Sequence, residues 1–224
     1  RPRMITLAID ASTYAGDVAV LDGLEVVAEE GVAMKGAESE RLMPAVVAAL
    51  QRAGVRVADI GRVVCGAGPG SFTSLRIAGG IAKGIATGRG CPLYAVPSMA
   101  ILVGGANLRP GRYLAATDAL RAEFYVGLYD VAPDAHVVEI ETARLVPADA
   151  VERLAADLGA TIVSPSAFEA SVKASPRARG VARVEEMLHA IGPVDLGRWE
   201  PSYGRLAEAQ VRWETAHGKP LPAG

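Results

Sequence analysis

Residues 63–90 read VVCGAGPGSFTSLRIAGGIAKGIATGRG: a short apolar strand, a glycine-rich turn, and a helix built largely of glycine, alanine and isoleucine. Such a turn could place backbone N–H groups around an anion at the helix N-terminus. It lacks the Gly-Lys-Ser/Thr of a Walker A loop, and Ser71 stands at the last position of a dinucleotide fingerprint. We therefore interpret it as a structural turn, whose glycines permit a tight reversal and whose Ser71 caps the helix.

The helix after the turn carries Gly80, Gly84 and Gly88 at four-residue intervals. Each interior glycine costs a helix about 1 kcal/mol relative to alanine. Three of them therefore indicate a need for a surface without side chains, which permits the close approach of another backbone. That backbone is either another part of this chain or a helix of a second chain, and the sequence leaves both explanations open.

The composition predicts a soluble, cytoplasmic protein. The chain has 224 residues, 50% of them hydrophobic, which suits one large domain or two small ones. A net charge of −2, from 23 basic and 25 acidic residues, argues against a protein that binds nucleic acid on its own. Cys65 and Cys91 lie on predicted buried strands, as reduced thiols do. No signal peptide or membrane-spanning apolar run is visible, so we expect no membrane partner.

Upstream of this stretch, the apolar pattern predicts three strands and a helix. Asp22-Gly23 between two apolar runs indicates a hairpin. Strands that alternate with helices then imply parallel pairing through right-handed crossovers. The resulting order, βββαβαβ, matches the ribonuclease-H-like fold that actin-type ATPases and sugar kinases share. The predicted strands are 4–9, 18–21, 25–32, 62–66 and 92–96, and the predicted helices are 38–53 and 72–88.

The second half reads as a reduced copy of the first, which predicts an α/β fold of two lobes with a truncated second lobe. The first lobe would span 4–97, the second 98–213, and a tail 214–224. Residues 166–180 have no clear apolar period and are expected to form a loop or a poorly ordered helix. The predicted strands are 113–117, 123–129, 137–145 and 161–164, and the predicted helices are 148–158 and 181–191.

Asp10 follows the first strand in the run Ile9-Asp10-Ala11-Ser12-Thr13. In actin-type ATPases an aspartate at this point holds metal and phosphate, and the alternative is a strand end whose side chains satisfy a turn. Asp118 stands where a second phosphate loop would be, but no glycine follows it and no Gly-Gly adenosine clamp comes later. We therefore expect Asp10 to be at most a vestigial nucleotide site and the chain to need no cofactor. An ATP-binding phosphotransferase remains the alternative.

The sequence offers little for metal binding or nucleophilic catalysis. His136, His189 and His217 are isolated, without an HxxxH or HxxH pair. Neither Cys65 nor Cys91 has a neighbouring base in the sequence. We predict no metal site and no catalytic residue.

Three strings closely resemble the bacterial TsaB family, also called YeaZ. They are IDAST at 9–13, GPGSFTSLRI at 68–77 and DALRAEFY at 118–125, and residues 200–205 resemble that family's closing P-x-Y-x-R segment. The resemblance covers about residues 4–213. It implies two ribonuclease-H-like lobes of the actin-type ATPase (ASKHA) class, the second of them truncated.

The resemblance also implies a function. Members take part in making N6-threonylcarbamoyladenosine at position 37 of tRNAs that read ANN codons, as accessory subunits without enzymatic activity of their own. They dimerise with the metal-containing paralogue TsaD, which carries the transfer chemistry, and the small ATPase TsaE joins them. The tRNA would be reached only through this complex. Older descriptions call such proteins glycoprotease-like, and a metallopeptidase is the weakest alternative.

The site that the resemblance implies is a partner interface. The helices at 38–53 and 72–89 would form a bundle with the same pair of helices from TsaD or from a second copy of this chain. Gly80 and Gly84 would permit close crossing of the helices. The other predicted interface residues are Leu42, Val46, Leu50, Phe72, Thr73, Arg76, Ile77 and Lys83.

The chain departs from the family pattern at four positions. Members often carry histidine where Glu38 stands, and usually carry glycine at Ser74, Ala78 and Ala122. The side chains at Ser74 and Ala78 lie near the start of the second helix, so we expect them to affect how tightly a partner docks.

Overall fold

The computed structural model describes residues 4–34 and 41–204. Two five-stranded mixed sheets form two lobes, which confirms the α/β, ribonuclease-H-like expectation. Glu38, Arg205 and the predicted tail lie outside the described residues, as does the first turn of the predicted helix 38–53. Within the described ranges, no helix has the length and apolar character needed to cross a membrane.

The first sheet has the order β3-β2-β1-β4-β5, with β1, β2 and β3 antiparallel and β1, β4 and β5 parallel. Asp22 pairs with Glu25 across the predicted hairpin turn. The apolar runs of β1, β2 and β4 are buried because helices cover this part of the sheet, whereas the edge strand β3 is mostly exposed or half-buried. The strands are β1 Ile5–Asp10, β2 Ala15–Asp22, β3 Glu25–Ala33, β4 Ile60–Gly66 and β5 Leu93–Val96.

Two helices cover one face of this sheet. They are α1, Leu42–Arg52, and α2, Phe72–Arg89, which ends at Gly90 in the left-handed region with φ 60°. Both bury one stripe of small and aliphatic side chains in a single core with the strands. The other stripe of each helix faces away from the sheet.

A third helix, α3, spans Ser98–Gly105 and was not predicted. Every one of its residues is buried, so it shows none of the apolar–polar alternation by which a surface helix is recognised. It packs between the two sheets, where Gly104 meets the backbone of Gly180. A Cβ at Gly104 would lie 2.6 Å from the Gly180 carbonyl oxygen, so this packing requires the glycine.

The second sheet repeats the strand order of the first: β10-β9-β6-β7-β8, with the same pattern of antiparallel and parallel pairs. Its helices are reduced to α4, Val151–Asp157, and no described helix connects β9 to β10. This is the truncation that the sequence predicted. The strands are β6 Gly111–Asp118, β7 Glu123–Val131, β8 Val137–Pro147, β9 Thr161–Ser164 and β10 Val172–Lys173.

Two predictions in this half were only partly right, since most of 166–177 is loop as expected and 185–191 is helical as expected. Residues 166–180 contain the short edge strand β10, which pairs in parallel with β9. The predicted helix 181–191 is divided into a 3-10 segment, Ala178–Arg183, and the helix α5, Glu185–Ile191. The 3-10 segment packs against α3 and the first sheet, and these tertiary contacts outweigh its local helix propensity.

After β10 the chain returns to the first lobe. The Ala178 N–H donates to Asp17 at 2.7 Å, and the Val194 N–H donates to the Leu93 carbonyl at 2.8 Å. Arg62, buried on β4, makes a bidentate pair with Glu185 at the start of α5, with both N–O distances 2.7 Å. Arg62 Nε also donates to the Thr6 hydroxyl. The C-terminal third of the chain therefore spans both lobes.

Replacing Arg62 with methionine is expected to destabilise the protein by about 2 kcal/mol, because it leaves the Glu185 carboxylate without its counter-charge in a mostly buried setting. The Arg62 guanidinium lowers the pKa of Glu185, which fits a favourable pair. Urea unfolding measures the loss. The double variant Arg62→Met/Glu185→Met is expected to recover part of it, and an equal or larger loss in the double variant would contradict this account.

Candidate functional site

Asp10 lies at the end of β1 with its carboxyl fully buried. Its Oδ1 accepts hydrogen bonds from the Ser12 N–H at 3.0 Å and the Ser12 hydroxyl at 2.8 Å. Its Oδ2 is buried without a hydrogen-bond partner among the described residues. Burial raises the pKa of Asp10, while the Ser98 hydroxyl and the Ser12 hydrogen bonds act in the opposite direction. The predicted turn interactions of Ser12 are therefore present at Oδ1, whereas Oδ2 has no hydrogen-bond partner among the described residues.

The glycine turn before α2 is filled by the chain itself. A Cβ at Gly66 would overlap the Asp10 carboxyl, one at Gly68 would overlap the Ser202 carbonyl oxygen, and one at Gly70 would overlap the Ser12 carbonyl oxygen. Because backbone and a buried carboxyl occupy this space, the turn's glycines serve internal packing. This supports the structural interpretation of the turn over a phosphate loop.

Ser71 stands at the N-cap of α2, as predicted, but its side chain makes no capping hydrogen bond to the backbone. Its hydroxyl donates instead to the Ser74 hydroxyl at 3.1 Å, and its N–H donates to the Ser12 carbonyl at 2.7 Å. The helix start is thus fixed by the backbone of the β1–β2 turn. The capping prediction was right in position and wrong in mechanism.

Three of the predicted interface residues are inside the chain's own core. Leu42, Val46 and Leu50 of α1 are buried against the first sheet, so they are not available to a partner. Their regular spacing marks the stripe that packs on the sheet. The exposed side of α1 instead presents Met43 and Val47, which are 44% and 43% exposed and are not among the predicted interface residues.

The predicted residues on α2 divide differently. Phe72, Thr73, Arg76, Gly80 and Gly84 are exposed. Ile77 and Lys83 are half-buried; Ile77 packs against the core of the first lobe, and Lys83 Nζ donates to the Trp199 carbonyl at 2.9 Å. We call the exposed side of the two helices the α1–α2 face. It consists of Met43, Val47, Phe72, Thr73, Arg76, Gly80, Gly84 and Gly88.

No packing contact among the described residues explains the glycines on this face. A Cβ at Gly80, Gly84 or Gly88 would meet no atom within 4 Å. Gly79, one position away, differs: a Cβ there would lie 3.0 Å from the Pro201 ring. Packing within the described chain therefore accounts for Gly79 alone. The three exposed glycines retain their cost to helix stability and leave a bare backbone surface beside exposed apolar side chains.

A C-terminal strap, residues 193–204, borders the α1–α2 face and was not predicted as part of it. Trp199 and Pro201 pack against α2 at Gly79, and the Ser202 N–H donates to the Ala67 carbonyl at 2.7 Å. The Tyr203 ring lies on Phe72 with ring centroids 4.4 Å apart. The P-x-Y segment seen in the sequence is thus the part that reaches the start of α2.

The departures Ser74 and Ala78 are both buried, Ser74 at 2% exposure and Ala78 at 0%. Because both side chains face the first lobe's interior, they do not contact a partner on the α1–α2 face, and their effect on how tightly a partner docks stays a prediction. Ala122 stands in a run of three residues, 120–122, with positive φ values of 63°, 56° and 57°. This backbone conformation is costly for residues that carry a Cβ.

Replacing Ala122 with glycine is expected to stabilise the protein by about 1 kcal/mol, because glycine adopts its φ of 57° without the Cβ clash. The gain is reduced by the greater freedom of glycine in the unfolded chain. Thermal unfolding measures the effect. Ala156→Gly on α4 is the control and is expected to lower the unfolding temperature; a lower temperature for Ala122→Gly as well would contradict the strain argument.

A charged cluster joins the first sheet to the 3-10 segment. Arg177 Nε lies 3.2 Å from an Asp17 carboxyl oxygen and 2.9 Å from a Glu29 carboxyl oxygen. Burial raises the pKa of Asp17 to about 7; Glu29 adds to the rise, and the Ala178 N–H and Arg177 oppose it. The pKa of Glu29 is lowered, chiefly by Arg177 against its own burial. Asp17 therefore binds a proton more readily in the folded chain than in the unfolded one.

This raised pKa predicts a pH dependence. Because the folded state favours protonated Asp17, the stability it contributes is present below pH 3.8 and is lost as the pH rises through about 7. Asp17→Asn keeps an acceptor for the Ala178 N–H and removes the titration. Between pH 3.8 and about 7, we expect the free energy of unfolding of Asp17→Asn to fall less than that of the wild type. The difference should be on the order of 1–2 kcal/mol. Urea unfolding at a series of pH values checks this, with Asp157→Asn at an exposed site as the control. If the free energy of unfolding depends on pH in the same way in Asp17→Asn and the wild type, the account is contradicted.

The described histidines pair with carboxylates on the surface. His136 Nδ1 lies 3.0 Å from Asp134 and His189 Nε2 lies 3.4 Å from Glu185, while His217 is outside the described residues. In residues 4–34 and 41–204, no group of three or more His, Cys, Asp or Glu side chains is placed to hold a metal ion. Burial raises the pKa of the Cys65 thiol, which disfavours its reactive thiolate form.

Known proteins are similar to this chain in sequence and in fold. A family model described as "TsaD: tRNA N6-adenosine threonylcarbamoyltransferase" matches residues 33–177. The tRNA threonylcarbamoyladenosine biosynthesis protein TsaB of Bacillus subtilis is 29% identical over 229 residues, covering 94% of this chain and 98% of that relative. YeaZ from Pseudomonas aeruginosa superposes with a TM-score of 0.74 at 27% identity, covering 89% of this chain and 99% of that structure. The chain belongs to the TsaB/YeaZ branch of this family.

Membership confirms the resemblance carried by the GPGSFTSLRI string. TsaB of Escherichia coli is 37% identical over 128 residues, which is 56% of this chain and 55% of that relative. The YeaZ structure covers 89% of the chain, so the two proteins share this two-lobed α/β fold. As a TsaB family member, the chain takes part in tRNA threonylcarbamoyladenosine biosynthesis.

Proposed function

We propose that this TsaB family chain is a non-catalytic docking subunit that binds TsaD through the α1–α2 face. The observation that carries the proposal is the row Gly80, Gly84 and Gly88, where an added Cβ would meet no atom of the described chain within 4 Å. Glycine at such positions lets a second helix approach closely, and exposed Met43, Val47 and Phe72 provide apolar area beside it. An interface of about 800 Å² per partner would be ordinary for a specific complex.

The proposed complex makes N6-threonylcarbamoyladenosine at position 37 of tRNAs that read ANN codons, in the cytoplasm. TsaD supplies the transfer chemistry, TsaE joins the pair, and the tRNA is bound by the assembly. The match of residues 33–177 to a TsaD family model supports pairing between paralogues, because related folds can place equivalent helices against each other.

Reconstitution tests this function. The chain is combined with TsaD and TsaE of the same organism, an unmodified tRNA, ATP and the threonylcarbamoyl donor, and the modified nucleoside is measured by mass spectrometry. We expect product only when this chain and TsaD are both present, and a co-eluting pair in size-exclusion chromatography. Product formed by the chain alone, or no association with TsaD, would overturn the proposal.

A second candidate function is ATP binding by the isolated chain, as in actin-type ATPases. One observation favours it: the buried Asp10 Oδ2 at the end of β1 has no described hydrogen-bond partner. The filled glycine turn favours docking instead, because Ser12 and Ser202 occupy the space at Gly70 and Gly68. Calorimetry with Mg-ATP separates the two, since micromolar binding that Asp10→Ala abolishes would replace the docking proposal.

A further inference from the structure

Two carboxyl groups of the first sheet meet a single guanidinium. Asp17 on β2 is buried and Glu29 on β3 is half-buried, both where the sheet meets the 3-10 segment. Arg177 Nε lies 2.9 Å from Glu29 Oε1 and 3.2 Å from Asp17 Oδ2. This nitrogen carries one hydrogen, which it donates to Glu29. A proton held between the two carboxyl groups supplies the other hydrogen bond and removes their repulsion.

Two further acids lie near Asp17, and both interact elsewhere. Asp10 stands directly opposite Asp17 in the ladder of β1 and β2, and its Oδ1 accepts both hydrogen bonds from Ser12. Glu30, the next residue on β3, forms an ion pair with Arg52 of α1. Glu29 is therefore the acid that shares a site with Asp17.

The cations of this cluster come from residues 177–183. Arg177 contacts both carboxyl groups, and Arg179 lies 3.7 Å from Glu29 Oε2 while also donating to a backbone carbonyl of α3. Arg183 bonds to a loop side chain outside the cluster, and α3 carries no charged residue. The positive charge is thus directed mainly at Glu29, so it does not replace a proton at Asp17.

Backbone contacts hold the 3-10 segment against β2 and α3. The Ala178 N–H donates to Asp17 at 2.7 Å. A Cβ at Gly180 would overlap the Ile101 carbonyl oxygen, so the segment lies directly on the backbone of α3. Because packing this close blocks small shifts, the segment uncovers Asp17 only by lifting away as a unit.

We propose that residues 177–183 form a latch that acid tightens: a proton shared by Asp17 and Glu29 keeps it closed on β2, and loss of that proton lets it open. Lifting the latch admits water to the Asp17 carboxyl, which then ionises at little cost. Opening therefore releases a proton. The latch is a property of the chain itself and is independent of the proposed docking function.

The sign of the pH response follows from this linkage. Burial raises the pKa of Asp17 to about 7; the Glu29 charge adds to the rise, and the Ala178 N–H and Arg177 oppose it. The closed latch thus binds the proton more readily than the open one. Opening becomes more frequent as the pH rises from 3.8 and levels off above about 7. An ordinary ion pair responds in the opposite direction, because it weakens when acid protonates its carboxylate.

Hydrogen exchange of the intact chain measures the opening. The reporters are the amides of Ala178, Gly180 and Val184, which donate hydrogen bonds in or beside the latch. After correction for the intrinsic exchange rate, we expect their opening to rise at least about tenfold from about pH 5 to about pH 7. Amides of β1 and β4 are expected to exchange more slowly at every pH, since they open only with the whole protein.

Three variants test the assignment of the proton. Asp17→Asn keeps an acceptor for the Ala178 N–H and removes the titration, so its latch opening is expected not to vary with pH. Asp157→Asn, the same change at an exposed site on α4, is the matched control and is expected to behave as the wild type. Glu29→Gln removes the charge that helps to raise the pKa of Asp17 and is expected to move the response to lower pH. This last variant keeps the test decisive if Asp17→Asn does not fold.

Two results would overturn the latch. Reporter amides that exchange at the same rate as β1 amides at every pH would mean that the segment opens only in global unfolding. Opening that is constant between about pH 5 and about pH 7, or that increases on acidification, would assign the cluster to ordinary ion pairing. Carbon-13 NMR of the Asp17 carboxyl gives an independent reading, with an expected midpoint of about 7. A midpoint near 3.8 would exclude the shared proton.

Discussion

Gly84→Leu is expected to abolish the complex with TsaD while the isolated chain remains folded. A Cβ at Gly84 meets open space, so the leucine side chain extends into solvent in the free chain. In the complex the same side chain occupies the place of the approaching helix and forces the two helices apart. Overpacking of this kind costs about 1–3 kcal/mol or more, and a cost at the upper end corresponds to a loss of affinity of more than about 100-fold.

Size-exclusion chromatography and calorimetry with TsaD measure the loss, and urea unfolding of the isolated variant shows that it is folded. Gly84→Ala provides a graded comparison: it is expected to stabilise the free chain by up to about 1 kcal/mol and still weaken the complex. Ala156→Leu on α4 is the control for an added leucine at an exposed helix position. An unchanged complex with Gly84→Leu would remove α2 from the interface.

Most of the first lobe could be predicted because its signals are local. Buried strands appear as apolar runs, and the stripe Leu42, Val46 and Leu50 follows the helical period. The helical period does not identify the surface against which these residues are buried. They are therefore predicted to contact a partner, although they pack on the chain's own sheet. The solvent-facing side of α1, where Met43 lies, became visible only once the sheet was placed.

For the glycines of α2 too, the sequence pattern does not show what each residue contacts. Gly79 and Gly80 are neighbours in sequence, yet one touches Pro201 and the other faces open space. The contact partner of Gly79 is more than 100 residues away, and no local pattern reports such a separation. For this reason the sequence predicted a bare helix surface correctly and missed the strap at its border.

The elements that were missed in the second half also depend on distant contacts. Helix α3 is buried on all sides, so it has no amphipathic pattern. Strand β10 has two residues and is recognised by its pairing with β9. Its place matches that of β5 in the first sheet, which shows that the internal repeat was a better guide here than local propensity.

Gly70→Ala is expected to destabilise the protein by about 3 kcal/mol or more, the upper range for overpacking. The new Cβ would overlap the Ser12 carbonyl oxygen and would lie 2.7 Å from its carbonyl carbon and 2.9 Å from its Cα. All three atoms are backbone, so no side-chain rotation relieves the clash. Either the β1–β2 turn or the start of α2 must move, and the 2.7 Å hydrogen bond from the Ser71 N–H to the Ser12 carbonyl is strained with it.

The matched control is Gly80→Ala, the same chemical change ten residues along the chain, where the Cβ meets no atom within 4 Å. It is expected to stabilise the isolated chain by up to about 1 kcal/mol, since alanine is the better helix former. The urea midpoints of the two variants are compared, provided that the dependence of the unfolding free energy on urea is the same for both.

Opposite changes in stability would show that glycine serves two purposes in this turn and helix: internal contact at Gly70 and an external surface at Gly80. If both substitutions stabilise the protein, the turn has unoccupied space at Gly70 and becomes a candidate ligand site again.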